Sequence, residues 1–527
     1  MVDEPTDQTP LLFAPKVKYL PPKGCIQQRY VFLVLAALGF FNVYAMRVNL
    51  SVALVAMVNQ TGHKEENVSY ECPQDSNGST VNTDSTGDFN WSPSLQGTIL
   101  GAFFYGYVVT QIPGGYLSGR FGGKYFFGLG VLTTGILTLL TPLAAKTNVY
   151  LFIVLRVLEG IGEGVTYPTM HAMMGKWAPP LERSRLLSVA YAGGQIGTAV
   201  SMPITGYLCK YGFAGGWPSV FYVFGSFACV WFIFWMLLVY DSPSVHPWIS
   251  EEEKVYIISS IGDPVTKKHE SVPWCGILTS VSVWSMCAAH FGGSYIFYTL
   301  LTDLPTYLDV VLHFDLKQDG LLSALPYILN FIVNLLSGLL TDLLLTKQVW
   351  RVTTARKVNT AFALLLPAAC MFGASFMGCD YYIGVGLLSL STGLLGSGTA
   401  GFVASVVDVA PRFAGSTMGF VNMMGNVTGI VAPLVVGLLT NNNNTQAQWN
   451  KVFYIASSVS VLGAIVYVLF GKAEREPWGY GKDDKLITES MATPHETPGP
   501  APLDPQRPSW DNSSEVLSRR ASPLKIN

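Results

Sequence analysis

The sequence predicts an all-α membrane protein, twelve transmembrane helices in two six-helix halves, and three observations carry that prediction. Half of the 527 residues are apolar and only 13% are charged, about half the charge of a soluble domain, too little to cover water-facing surfaces. Apolar runs of bilayer-crossing length, about 20 residues, recur along the chain. A glycine-containing loop signature appears twice, six runs apart.

Lipid offers unpaired backbone groups no partner, so each run is read as a helix. A polar, proline-bearing tail, 1–30, comes first and does not resemble a cleavable signal. The first half, 31–240, holds spans near 31–58, 95–118, 125–145, 149–173, 185–208 and 219–240. A central loop, 241–280, follows; its Glu251-Glu252-Glu253 run is read as one side of a solvated loop helix. The second half, 281–471, holds spans near 281–307, 320–345, 357–377, 381–406, 413–440 and 452–471. The tail 472–527, rich in Pro, Ser and Asp, is expected to be disordered. Its Arg519-Arg520-Ala521-Ser522 fits a basophilic kinase pattern.

Loop charge sets the orientation. With both termini cytosolic, thirteen Lys and Arg, Arg120, Lys124 and Arg356 among them, fall in cytosolic loops against five in luminal ones. The luminal loop of about 59–94 agrees, with glycosylation sequons at Asn59, Asn67, Asn77 and Asn90. A net charge of -2 excludes nucleic-acid binding by bulk electrostatics, and eight cysteines in this length form no disulfide framework. No Walker lysine, zincin helix or nucleophile elbow is present, which argues against an ATP-driven pump and a membrane enzyme. Gly396-Ser-Gly398-Thr-Ala-Gly401 fits a dinucleotide pattern, but it lies in an apolar span with no preceding strand; close helix packing is the better reading.

Ionisable residues inside spans are costly unless paired or wetted. Arg47 lies mid-way along span one, and Arg156, Glu159 and Glu163 share one face of span four. Arg156 and Glu159 are close enough to neutralise each other, leaving Arg47 and Glu163 as the working pair. Arginine stays charged and presents a planar fork to a carboxylate, so Arg47 is the candidate for a small organic anion. Low dielectric favours a neutral carboxyl, so Glu163 could take up a proton on an acidic luminal side and release it to the cytosol. Tyr44, Phe104, Tyr105, Tyr167, Tyr295 and Tyr298 are candidates to line a pocket for a polar, ring-bearing ligand, and His290 in span seven is a further candidate because an unperturbed histidine titrates near working pH. Such a cluster suits alternating access better than a channel.

Spans two and three are joined by Gly115-Tyr-Leu-Ser-Gly119-Arg120-Phe-Gly122-Gly-Lys124, the candidate gating loop, and Gly338-Leu-Leu-Thr-Asp342 echoes its start in the second half. The two halves with this signature resemble the major facilitator superfamily, whose substrate sites lie near the bilayer midplane. Tyr44-Ala-Met-Arg47-Val-Asn49, Thr110-Gln-Ile-Pro-Gly-Gly-Tyr116, Leu158-Glu-Gly-Ile-Gly-Glu-Gly164 and Lys176-Trp-Ala-Pro-Pro-Leu-Glu-Arg-Ser184 are similar to its organic-anion branch of sialin-like, vesicular glutamate and sodium–phosphate transporters. Within the branch the sialin-like group fits best, since the glutamate transporters' Gln, His and Arg are replaced by Glu159, Leu100 and Gly293.

The resemblance implies that Arg47 holds the substrate carboxylate and that Glu159 and Glu163 take part in proton coupling. It also places His290 near the cavity. The implied activity is proton-coupled lysosomal export of sialic acid or related acidic sugars. Vesicular transport of an acidic amino acid, or sodium-coupled transport of phosphate or another anion at the plasma membrane, is the alternative. One departure concerns the end of span ten, where the group reads Asn-His-x-Asp-Ile-Ala-Pro and this chain reads Ser405-Val-Val-Asp408-Val-Ala-Pro411; two polar groups near the cavity are expected to be lost. No cofactor or metal is expected, only H+ as coupling ion, or Na+ in the alternative, and a monomer in the membrane. Cys72 and Cys379, both luminal and with counterparts in the group, are one possible disulfide; Cys209 as a substitute, or free thiols, stay open. Asp7-Gln-Thr-Pro-Leu11-Leu12 fits an acidic dileucine signal, read by a cytosolic sorting adaptor, which implies lysosomal or late-endosomal residence. The plasma membrane or a synaptic-type vesicle is the alternative address.

Overall fold

The first hydrophobic run becomes one uninterrupted 30-residue helix, α1 (Gln28–Met57), and the apolar patterning continues in kind. In the computed structural model, which describes residues 27–59, 87–261, 271–310, 320–378, 381–440 and 445–480, the first half continues with α2 (Pro93–Phe121), α3 (Gly123–Thr147), α4 (Val149–Gly164), α5 (Thr166–Trp177), α6 (Arg183–Tyr211) and α7 (Trp217–Leu238). The central loop carries α8 (Glu251–Ile261) and α9 (Trp274–Thr279). The second half contains α10 (Val281–Val310), α11 (Gly320–Thr346), α12 (Val352–Ala374), α13 (Tyr381–Leu394), α14 (Phe402–Val409), α15 (Ala414–Asn426), α16 (Thr428–Thr440) and α17 (Gln446–Phe470). Every predicted span coincides with one of these helices or with a consecutive pair.

Among the described residues, eight stretches are long and apolar enough to cross a membrane by length and composition. The other predicted spans, α2, α4–α5, α6 and α10, are diluted by glycine, polar residues or charge. Those four supply much of the polar cavity described below, so the weaker hydropathy has a structural reason.

Three spans are broken where they meet the centre of the bundle. Span four breaks at Val165; Pro168, three residues on, has no N–H to continue the ladder. The Thr166 hydroxyl donates to the Glu163 carbonyl at 2.7 Å and satisfies part of the break. Span ten passes through a 3₁₀ turn, Leu395–Thr399, between α13 and α14. Close packing holds for Gly396 and Gly401, whose missing Cβ atoms leave room for the backbone of Asn330 and Thr360, but the glycine-rich stretch also interrupts the helix. Span eleven breaks at Val427.

Small residues set the closest approaches. A Cβ on Gly160 would strike the Phe103 carbonyl and one on Gly106 the Val157 carbonyl, so α2 and α4 touch backbone to backbone and fix the charged face of α4. The repeated loop signature has a matching role in each half: Gly115 of α2 lies against the Gly415 carbonyl of α15, and Gly338 of α11 against Ser188 of α6. Both are contacts between halves.

The expected solvated acidic helix needs correction. Glu251 and Glu252 are exposed, but Glu253 is buried and its carboxylate accepts from the backbone N–H of Gln28 at 2.9 Å and of Arg29 at 3.2 Å. It therefore caps the N-terminus of α1, where unpaired N–H groups and the helix dipole favour an anion.

Candidate functional site

Helices from both halves enclose one central cavity. Tyr44 (α1), Tyr107 (α2), Tyr167 (α5) and Tyr191, Gln195 and Thr198 (α6) form the first-half wall. The second half contributes His290, Ser294, Phe297 and Tyr298 (α10), Tyr327 and Asn330 (α11), Gly396 and Thr399 from the 3₁₀ break, and Asn422 and Asn426 (α15). No Asp, Glu, Lys or Arg is among the lining residues.

The charges lie one layer back. Arg47 Nε donates to Glu163 Oε1 at 2.7 Å, and its Nη2 reaches the same oxygen. Glu163 is wholly buried and its Oε2 has no hydrogen-bond partner among the described residues. The rings of Tyr44, Phe103 and Tyr107 surround the Arg47 guanidinium at 4.8, 5.0 and 4.7 Å, within cation–π range. Two of those rings, Tyr44 and Tyr107, face the cavity and screen Arg47 from it. Tyr44 and Tyr167 share a hydroxyl–hydroxyl hydrogen bond of 2.7 Å.

Arg156 and Glu159 pair with each other, and Glu159 Oε1 accepts from the Thr141 hydroxyl at 3.2 Å. That carboxylate is engaged at both oxygens, whereas Glu163 is engaged at one.

Of the predicted lining residues, Tyr44, Tyr167, His290 and Tyr298 face the cavity. Three do not. Tyr105 is 58% exposed and outside the cavity. Phe104 is buried edge-on against Tyr298, with ring centroids 5.0 Å apart, and Tyr295 packs into the second-half core beside it. The departure at the end of span ten also falls elsewhere: the Ser405 hydroxyl bonds to that of Tyr467, Val406 is a core residue, and neither lines the cavity.

In the gating loop, Gly122 has φ 98°, in the region that favours glycine. The Lys124 N–H donates to Asp241 Oδ1 at 2.7 Å, the Lys124 ammonium lies 4.3 Å from the Tyr240 ring centre, and Arg120 bonds the Tyr116 hydroxyl at 3.0 Å. Asn59 and Asn90 stand at the two ends of the first loop, which are tied by Asn59 N–H to Phe89 O at 2.8 Å. Asn67, Asn77, Cys72, Cys379, Asp7, Leu11, Leu12 and Ser522 lie outside the described residues; Cys209 has no disulfide partner among the described residues.

A lock across the halves was missed by sequence reasoning. Asp408 accepts from Arg183 at 2.5 Å and from Arg356 Nε at 2.8 Å. Arg356 also bonds the Ser184 hydroxyl at 2.7 Å. Beside it, Asp342 of α11 accepts from the N–H groups of Ser184 and Arg185 at 3.2 and 2.8 Å, capping α6 of the other half. Loop-charge counting places Arg356 only by topology and gives it no partner; the single aspartate in Val-Val-Asp408-Val is the available signal.

A model of the Major Facilitator Superfamily matches residues 33–398. The chain belongs to that superfamily. Human (Homo sapiens) sialin is 45% identical over 479 residues, covering 90% of this chain and 95% of its own. Vesicular glutamate transporter 1 of Xenopus tropicalis is 38% identical, over 88% and 80%. The fold matches the proton:xylose symporter XylE bound to 6-bromo-6-deoxy-D-glucose, with TM-score 0.62, 16% identity and coverage of 88% and 99%. This major facilitator protein is a multi-pass membrane transporter of organic anions and not an enzyme.

Proposed function

We propose that the chain is a proton-coupled secondary transporter that exports sialic acid or a related acidic sugar from the lysosome by alternating access. The observation that carries this reading is the Arg47–Glu163 pair, with Glu163 Oε2 unpartnered behind the tyrosine wall. A proton held at Oε2 neutralises Glu163 and weakens its grip on Arg47. The freed guanidinium then takes the substrate carboxylate through the gap between Tyr44 and Tyr107, in the bidentate geometry that arginine suits. Loss of the proton towards the cytosol restores the pair and expels the anion. Similarity to sialin over nine-tenths of the chain supports the substrate class.

In this reading the end bearing the basic loops is cytosolic, so the Arg183–Asp408–Arg356 lock closes the cytosolic exit while the cavity is loaded from the lumen. The coupling ion is H+, the transporter works as a monomer, and the dileucine segment delivers it through a cytosolic adaptor. The test is uptake of labelled N-acetylneuraminate into proteoliposomes under an imposed pH gradient, competed with glucuronate, aspartate, glutamate and phosphate. Inhibition by glucuronate with phosphate inert is expected; uptake competed by glutamate or phosphate and not by glucuronate would overturn the substrate assignment.

A further inference from the structure

Three side chains that line the cavity carry buried polar atoms that no other described residue uses. Asn330 of α11 is buried, 4% exposed, and its amide nitrogen is committed to the Thr392 carbonyl at 2.6 Å. That bond fixes the amide orientation, so the atom left over is the acceptor Oδ1, which has no partner among the described residues. Gln195 of α6 likewise has an unpartnered Oε1. His290 of α10 is wedged against Gly425, its ring 5.2 Å from that of Phe402, with Nδ1 unpartnered. All three residues line the same cavity.

We infer that Gln195, Asn330 and His290 form a hydroxyl-reading subsite, separate from the Arg47–Glu163 pair, that makes the transporter select anions with a polyhydroxylated body. A buried polar atom without a partner is costly, and the cost is removed only by a ligand or water group that donates to it. A sugar acid brings several O–H donors. A short dicarboxylate brings a second acceptor-only anion, which would face Asn330 Oδ1 with no cation among the lining residues to balance it. An apolar ring leaves all three polar atoms unpaired. Selection therefore comes from the penalty on ligands that lack hydroxyls, the arrangement in which polar sites discriminate best. This inference rests on the sugar-acid reading proposed above.

The experiment uses the full chain, purified, with ligand affinity read from thermal-shift titrations. The probes are glucuronate and cyclohexanecarboxylate, which share a six-membered ring and a carboxylate and differ in hydroxyls. The variants are Asn330→Leu and Gln195→Met; the second keeps side-chain length and touches no helix–helix bond, so it serves if loss of the Thr392 contact unfolds the first. Wild type should bind glucuronate the more tightly. Each variant should lose about five- to tenfold in glucuronate affinity, the scale of one neutral hydrogen bond, with cyclohexanecarboxylate unchanged. Equal loss for both probes, or none for either, overturns the subsite. Wild type that binds neither probe overturns the sugar-acid reading itself.

Discussion

Arg47 and Glu163 were visible in the sequence because charge inside an apolar run is expensive enough to stand out. The aromatic residues were not so easily sorted. Phe103, Phe104 and Tyr105 are consecutive, so their side chains point about 100° apart around α2. One meets the Arg47 guanidinium, one packs against Tyr298, and one is exposed. No composition rule distinguishes them without the helix's neighbours. Charge geometry at this scale gives two predictions. Arg47→Lys keeps the charge but loses the fork, so substrate uptake by correctly inserted protein should fall at least about tenfold; uptake at the wild-type rate would refute the role. Glu163→Gln should abolish pH-driven accumulation while leaving counterflow exchange, whereas Glu159→Gln unbalances Arg156 and should chiefly lower thermal stability. Accumulation that persists in Glu163→Gln would move the proton site elsewhere.

The helices themselves were legible from hydropathy, and their breaks less so. A 20-residue apolar run signals a span whether or not it is continuous, so the interruptions at Val165 and Val427 left little trace; the glycines at 396–401 were read as packing alone. The lock between elements was hidden for a different reason. Arg183, Arg356 and Asp408 are distant in sequence, and only the fold brings them together.

Pseudosymmetry of that lock is incomplete. Gly115 and Gly338 correspond, and four residues on, Asp342 caps α6 while its counterpart is Gly119, with open space where a Cβ would be. Removing a helix cap costs about 0.5–2 kcal/mol. Asp342→Ala should therefore favour opening at the basic-loop end, raising the labelling rate of a Ser188→Cys reporter by an impermeant thiol reagent applied from that side. Unchanged labelling would show that Asp342 does not hold the halves.

At the level of the whole molecule, two halves share a cavity without charge, a buried ion pair behind one wall and a lock at one end. Such an arrangement lets binding at the centre and closure at the ends be exclusive states of one bundle, as alternating access requires. The internal repeat announced the two halves, yet part of their joint cavity is built from α2, α6 and α10, which are not among the stretches apolar enough to stand out as spans. Location belongs to this scale as well, since in the proposed reading an acidic lumen would supply the proton gradient. Leu11→Ala with Leu12→Ala should shift the protein from lysosomes to the cell surface, scored by surface biotinylation; an unchanged distribution would remove the dileucine signal.

The central claim, that anion movement and proton movement are one event, is tested most directly by recording internal pH in proteoliposomes with no imposed ion gradient when N-acetylneuraminate is added outside. The account predicts substrate-driven acidification of the interior, abolished by Glu163→Gln. Substrate entry without any pH change, or entry driven by a sodium gradient alone, would contradict it.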